Sequence, residues 1–390
     1  MPSAKECFIK GINANNARNF GEAIAYFQKA IFINSKHVDA HYYLGIVYSN
    51  LQNHKEAILC FQKVIDINPK HIMAHFYLGV MYFKLKDYTV AIQYVQKSIE
   101  LDPLLTDAYN ELGNIYNEMK NIDEAIRYYQ KTIDLDPDSQ KSYYNMGNVY
   151  YHLDNFKKAI FYYKKATDIN PNYVEALNNM GLSYKELKEY DKAIQCYKKA
   201  IDIDPNYSIV YYHIGMLYDE LEKYKEAIPC YRKAIDINPN DSDFHDSLGC
   251  DYRKLKNYKQ AILCYQKAMN LDPQNISRYY DMGYIYYCLK NYEKAIQAYK
   301  KLLEAKPDQF EIYNNIGAIY FYLKKYNEAI SYFQKSIDIN PNCIKGYCNM
   351  GNLYRALGNK TEEIKYFKKA ARLGDKACQK WLDENGYDWN

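Results

Sequence analysis

The chain has 390 residues, of which 48% are hydrophobic and 25% charged, and its formal net charge is +4. This composition excludes a disordered tail, and the small net charge gives no reason to expect a nucleic acid or an anionic membrane as partner. No apolar run approaches a membrane span, the first residues lack a signal-peptide pattern, and the ten cysteines form no CxxC pair, so we expect reduced thiols and a cytoplasmic location.

Eleven glycines recur at a constant interval of 34 residues, which indicates an internal repeat. We number the slots of each repeat so that this glycine is slot 8. The eleven predicted repeats are 4–37, 38–71, 72–105, 106–139, 140–173, 174–207, 208–241, 242–275, 276–309, 310–343 and 344–377.

Other slots of the repeat also carry a constant residue type. Slot 11 is Tyr in ten repeats, slot 20 is Ala in ten, slot 21 is Ile in all eleven and slot 32 is Pro in nine. Apolar slots are spaced three and four apart, which predicts two amphipathic helices, over slots 2–14 and 18–31. We expect Asn or Asp at slot 16 to occupy a left-handed turn, and Pro at slot 32 to end the second helix.

The two ends of the chain are predicted to be capped. Ser3 and Glu6 have the spacing of a capping box, and residues 375–386 predict a final helix that starts at Asp375 and ends at Gly386. Between the ends, we expect the glycine of slot 8 to let the first helix approach the alanine of slot 20. The many tyrosines are expected to bury their rings and to leave their hydroxyls near the surface.

The repeat resembles the tetratricopeptide repeat family over about 374 of the 390 residues. The resemblance implies an all-α fold, an α-solenoid in which antiparallel helix pairs stack into a right-handed superhelix with a concave groove, followed here by a C-terminal capping helix. This family often has glycine at slot 15, where this chain has only Gly358. We therefore expect the same turn at some strain.

No catalytic or phosphate-binding motif is present, and we expect a protein that is not an enzyme and holds no cofactor or metal. Two HxxxH pairs, His37/His41 and His71/His75, have the spacing of a metal site on a helix. We interpret them as structural, because slot 4 is a packing slot that tyrosine fills elsewhere.

The resemblance implies that slots 2, 5, 9, 12 and 13 line the groove. An apolar zone comes first in the chain, a polar and rather acidic zone follows, and an aromatic zone comes last. The amide side chains suit a peptide backbone because each can donate and accept, although exposed asparagines in an Asn-rich chain can also be without function. The candidate partner-binding residues are Tyr42, Met73, Phe76, Phe83, Asn110, Asn114, Asn117, Asn148, Asn178, Asp219, Glu220, Tyr280, Tyr284, Tyr287, Asn314, Phe321 and Tyr322.

These slots favour a non-enzymatic scaffold that binds an extended, neutral-to-basic segment of a protein partner. A second hypothesis is the substrate-recognition arm of a separate-chain enzyme, because Asn145, Asn179, Asn315 and Asn349 at slot 6 partly resemble the asparagine ladder of the O-linked N-acetylglucosamine transferase. RNA binding is disfavoured, because the groove slots hold more acids than bases. No repeat has Lys or Arg at slot 5, so we expect no clamp for a C-terminal carboxylate.

Overall fold

A computed structural model describes residues 2–389, and every regular element within that range is an α-helix. The chain forms two compact halves, the N-terminal half Met1–Pro205 and the C-terminal half Asn206–Asn390. In both, consecutive helices form antiparallel pairs, as in an α-solenoid. The all-α fold expected from the repeat pattern is therefore confirmed.

The N-terminal half contains twelve helices. Odd-numbered helices are the first of each pair and even-numbered helices the second. Their bounds are α1 Ala4–Asn16, α2 Phe20–Ile33, α3 Val38–Asn50, α4 His54–Ile67, α5 Ile72–Lys84, α6 Tyr88–Leu101, α7 Thr106–Glu118, α8 Ile122–Leu135, α9 Gln140–His152, α10 Phe156–Ile169, α11 Val174–Glu186 and α12 Tyr190–Ile203.

The C-terminal half continues the alternation and ends in one extra helix. Most first helices occupy slots 1–13 and the second helices slots 17–30, one slot earlier than the sequence predicts. Their bounds are α13 Ser208–Glu220, α14 Tyr224–Ile237, α15 Ser242–Lys254, α16 Tyr258–Leu271, α17 Arg278–Cys288, α18 Tyr292–Ala305, α19 Phe310–Tyr322, α20 Tyr326–Ile339, α21 Ile344–Ala356, α22 Lys360–Arg372 and α23 Lys376–Glu384.

The turn within each pair places slot 15 in the left-handed region. Ten repeats carry a non-glycine residue there, with φ between 54° and 63°, whereas Gly358 has φ 74°. The strain expected from the missing glycines is therefore present. The expectation for slot 16 was wrong, because this residue has a negative φ, −87° at Asp87, and in seven repeats its side chain caps the second helix. Asp87, for example, accepts a hydrogen bond from the backbone N–H of Val90 at 3.3 Å.

The glycine of slot 8 makes room for an aromatic ring and not, as expected, chiefly for the alanine of slot 20. A Cβ atom added to Gly45 would lie 2.7 Å from Cε1 of Phe61, the slot 24 residue of the same repeat. The same relation joins slots 8 and 24 in ten repeats, and in the remaining one Val95 takes the place of the ring. In ten of the eleven helix pairs an aromatic ring of the second helix thus packs directly on the backbone of the slot 8 glycine.

Both end caps form as the sequence predicts. The Ser3 hydroxyl accepts from the Glu6 N–H at 3.2 Å, and the Glu6 carboxylate accepts from the Ser3 N–H at 2.8 Å. At the other end Asp375 caps α23, and Gly386, with φ 73°, follows the helix. Trp381 of α23 packs edge-on against Phe367 of α22, with 4.9 Å between the ring centroids.

Candidate functional site

All the candidate residues lie on the first helices of the pairs, and we call the surface formed by slots 2, 5, 9, 12 and 13 of these helices the inner face. Their exposure differs widely. Glu220, Tyr280, Tyr284 and Tyr322 are exposed, Asn178 and Asn314 are buried, and the others are half-buried. That the inner face lines a concave groove remains a prediction.

The apolar zone in the N-terminal half is engaged in packing. The Tyr42 ring lies 5.9 Å from Phe61 and 6.0 Å from Tyr77, measured between ring centroids. Burial raises the pKa of the Tyr42 hydroxyl above its ordinary value. Phe76 and Phe83 pack against the core shared by α6 and α7. These side chains present part of their rings to the inner face and use the rest for the core.

The asparagines of α7 and α9 bind each other. Asn145, at slot 6, donates to the Oδ1 atoms of Asn110 and Asn114 of the preceding repeat at 3.2 and 3.1 Å. Asn114 also accepts from the hydroxyl of Tyr129 at 2.9 Å, and donates to Glu111. The amides predicted to be available for a partner backbone are therefore partners of neighbouring side chains.

The same arrangement repeats one helix pair further along the chain. Asn148 accepts from the Tyr163 hydroxyl at 2.8 Å and from Asn179 at 3.0 Å. Tyr163 is only 1% exposed, and burial raises its pKa. The expectation that such tyrosine hydroxyls lie near the surface was wrong for Tyr129 and Tyr163 at slot 24. Their hydroxyls donate inside the protein to the asparagine at slot 9 of the same repeat.

Two candidate asparagines are buried among other amides. Asn178 donates to Asn179 at 3.0 Å, and Asn314 accepts from Asn349 of the next repeat at 2.9 Å. Since a buried amide must be hydrogen-bonded, these contacts give both residues a structural reason to be present.

Basic residues neutralise much of the predicted acidic zone in the C-terminal half. Arg278, 1% exposed, binds Asp246 at 3.0 Å and the backbone carbonyl of Asp272 at 2.9 Å. Arg253 pairs with Asp281 at 3.1 Å. The buried arginine escaped the sequence analysis, although a base at slot 3, where other repeats mostly have small or apolar residues, is a visible signal.

The Asp219 side chain contacts other residues of the same half. Its carboxylate accepts from the Tyr231 hydroxyl at 3.1 Å and lies 4.0 Å from the Lys254 ammonium. Asp251, fully buried at slot 10, lies beside it. Burial, together with the charge of Asp219, raises the pKa of Asp251 to about 9. Asp251 is therefore protonated at neutral pH, and it too was missed, although slot 10 is apolar in eight repeats.

The aromatic zone is the most accessible part of the inner face. Of the tyrosines in residues 2–389, only Tyr280, Tyr284 and Tyr322 are exposed, at 43%, 41% and 59%. We call these three the aromatic patch. Tyr287 lies against Tyr322 at 6.0 Å between ring centroids, and Phe321 packs on Tyr326 at 5.9 Å. The patch adjoins a cavity of about 260 Å³ that is lined by Tyr280, Phe310, Asn314 and Ile344, among others.

The HxxxH histidines have structural partners. His37 and His71 accept a backbone N–H at the start of α3 and α5 through Nδ1. The Nε2 atoms of His41 and His75 lie 3.0 and 2.9 Å from the backbone carbonyls of Ser35 and Pro69. These contacts give all four histidines a structural role, in agreement with that interpretation. No helix within residues 2–389 is long and apolar enough to cross a membrane.

Comparisons with protein families agree with the repeat analysis. Profiles described as tetratricopeptide repeat or TPR repeat match most of the chain, and one described as Sel1 repeat matches residues 5–31. The tetratricopeptide repeat and TPR repeat profiles match residues 38–71, 72–105, 104–172, 174–207, 208–241, 249–290, 283–323, 310–343 and 344–373.

Similar solved structures include MamA, with 27% sequence identity and a TM-score of 0.39 over 42% of this chain and 96% of MamA. The pilF protein of Pseudomonas aeruginosa has 22% identity and a TM-score of 0.47 over 52% of this chain and 92% of its own. The structure of the APC/C hetero-tetramer Cut9–Hcn1 has 20% sequence identity and a TM-score of 0.46 over 91% of this chain and 76% of its own. A search among curated protein sequences gave no match.

Proposed function

Because the chain belongs to the tetratricopeptide repeat family, whose repeats build protein-interaction scaffolds, we propose that its inner face binds an extended segment of a protein partner. The role is non-catalytic. The observation that carries the proposal is the aromatic patch, three exposed tyrosines in a chain whose other tyrosines are half-buried or buried.

An exposed tyrosine cluster supports a binding role for physical reasons. A tyrosine ring buries a large apolar area on binding and keeps a hydroxyl that can hydrogen-bond, and few rotatable bonds are frozen. Tyrosine is therefore enriched among the residues that dominate binding energies. Tyr280 and Tyr284 lie one turn apart on α17, so they can contact the same partner segment.

The preference for a neutral-to-basic segment is best supported in the N-terminal half. Asp107, Glu118 and Glu175 are exposed at inner-face slots there. In the C-terminal half, the carboxylates of Asp246 and Asp281 are already paired with arginines. We therefore assign apolar and aromatic contacts to the C-terminal half and the charge preference to the N-terminal half.

The second hypothesis, a substrate-recognition arm of a separate-chain glycosyltransferase, gains less support. It relies on asparagines that are free to contact a substrate backbone. Asn145, Asn179 and Asn349 are instead donors to Asn110, Asn148 and Asn314, which gives them a packing role.

The proposal is tested by quantitative affinity purification with a triple variant, Tyr280→Ala/Tyr284→Ala/Tyr322→Ala. A matched control changes three exposed apolar residues of second helices, Leu59, Phe161 and Leu263, to alanine. We expect the patch variant to lose the partners that the wild type and the control retain. If all partners survive the patch substitutions, the aromatic patch is not the binding surface.

A further inference from the structure

Two cysteines and one aspartate meet where the final helix packs on the last repeat. Cys348 lies on α21, Cys378 is in the first turn of α23, and Asp375 is the N-cap of α23. The two Sγ atoms are 3.5 Å apart, and both lie within 4.8 Å of a carboxylate oxygen of Asp375. Cys348 occupies slot 5 of the last repeat, but none of the three residues is among the candidate partner-binding residues.

The distance between the sulfur atoms distinguishes two kinds of site. A disulfide requires about 2.05 Å between them. A tetrahedral zinc ion with Zn–S bonds of about 2.3 Å holds two thiolates about 3.8 Å apart. The observed 3.5 Å is therefore close to the separation that zinc requires and far from a bond. A carboxylate ligand at about 2.0 Å from the ion would lie about 3.5 Å from each sulfur. A carboxylate oxygen of Asp375 lies within 4.8 Å of both sulfur atoms.

The surroundings suit an ion with this ligand set. The group borders a cavity of about 380 Å³ that Asn352 and Arg355 also line. Two thiolates and one carboxylate around a divalent cation leave one negative charge. The Arg355 guanidinium lines the same cavity and also pairs with Glu363 at 2.6 Å. Cys378 is buried, which suits a structural site.

We propose that Cys348, Cys378 and Asp375 bind one Zn²⁺ ion, with water or Asn352 at the fourth position. Binding releases the two thiol protons to solvent, so the affinity falls as the pH falls. The ion fastens α23 to α21. A nine-residue helix has little stability of its own. A metal ion that links α23 to the last repeat would hold the helix over the apolar face of that repeat.

The first test titrates the reduced full-length chain with Co²⁺, whose sulfur-to-metal charge-transfer band scales with the number of thiolate ligands, and then displaces Co²⁺ with Zn²⁺. We expect one ion per chain with two thiolates. Cys348→Ser should halve the band. Asp375→Asn, which keeps an N-cap oxygen, should weaken binding at least about tenfold. Cys60→Ser on α4 is the matched control and should bind as the wild type does.

The second test needs no variant. Alkylation of the wild-type chain, read by mass spectrometry, should be slowed by Zn²⁺ at Cys348 and Cys378 and unchanged at Cys60, and a chelator should reverse the protection. Equal alkylation with and without Zn²⁺ would overturn the proposal, as would a Co²⁺ band that Asp375→Asn and Cys348→Ser leave intact. A chain that is isolated with a Cys348–Cys378 disulfide, and after reduction binds no metal, would overturn it as well.

Discussion

Replacing Gly45 with alanine should destabilise the N-terminal half, although alanine is the better helix former. The new Cβ would lie 2.7 Å from a carbon of the Phe61 ring, against 3.4–4 Å for an ordinary contact. Phe61 is 0% exposed, so the ring cannot turn away into solvent. Overpacking of this kind costs about 1–3 kcal/mol, and the alanine returns about 1 kcal/mol of helix propensity. The expected net loss is about 0–2 kcal/mol.

Gly21→Ala is the matched control for this substitution. Gly21 also lies in a helix, but its added Cβ would meet no atom within 4 Å, so the variant should gain about 0.4–1 kcal/mol. Stability is measured by urea unfolding followed by circular dichroism. Amide hydrogen exchange in α3 and α4 reports the local effect, because repeat proteins open in parts. If Gly45→Ala stabilises the chain as much as Gly21→Ala does, the contact between slots 8 and 24 does not explain why glycine recurs at a constant interval along the chain.

Three further predictions concern single side chains. The pKa of the Asp251 carboxyl is raised to about 9 in the folded chain, so this group ionises more easily in the unfolded chain. The free energy of unfolding therefore falls by up to about 1.4 kcal/mol per pH unit above about pH 4. Asp251→Asn should therefore be the more stable chain by up to about 4 kcal/mol at pH 7, with less difference at pH 5; urea midpoints that shift equally at both pH values would contradict this. Tyr163→Phe leaves Asn148 without its hydroxyl donor and should cost about 1 kcal/mol in urea unfolding, and an unchanged midpoint would show that this bond contributes nothing. Lys120→Gly removes a side chain from a left-handed residue with φ 62° and should stabilise by up to about 1 kcal/mol, whereas a lower melting temperature would refute strain at slot 15.

The sequence predicts the helices well because their pattern is local and is repeated eleven times. Apolar spacing of three and four fixes which face of each helix is buried, and the Asn/Asp–Pro pairs fix where the second helices end. The helix bounds differ from the prediction by one slot, because the Asn or Asp of slot 16 acts as an N-cap and so starts the second helix immediately after it.

Contacts within a buried face are harder to predict than the face itself. The pattern puts slots 8, 20 and 24 on facing surfaces without saying which atoms meet, and the ring of slot 24 rather than the alanine of slot 20 fills the gap at slot 8. The hydrogen bond from Asn145 to Asn110 joins residues 35 positions apart in neighbouring repeats. Such a contact depends on how two neighbouring repeats pack, and the residue spacing within one repeat does not predict it.

Candidate binding residues were predicted by slot, and slot alone does not determine exposure. Tyr284 at slot 9 is exposed, whereas Asn114 and Asn148 at the same slot accept the hydroxyl of a buried tyrosine. The difference lies in the slot 9 residue itself. Asn114 and Asn148 each accept a hydrogen bond from an asparagine at slot 6 of the following repeat, whereas Tyr284 has no amide, although Asn315 stands at slot 6 of its following repeat. The pair formed by slot 9 and slot 6 of the following repeat is visible in the sequence, and an asparagine at both positions predicts a slot 9 amide that is already hydrogen-bonded.

Site-specific photo-crosslinking tests the central claim most directly, because it reports which surface touches the partner. A benzophenone amino acid is placed at Tyr284 of the aromatic patch or, as control, at Leu263 on the second helix α16 of the same half, which is 52% exposed. The account predicts a crosslink to a partner from Tyr284 and none from Leu263. Crosslinks that form from Leu263 and not from Tyr284 would contradict it.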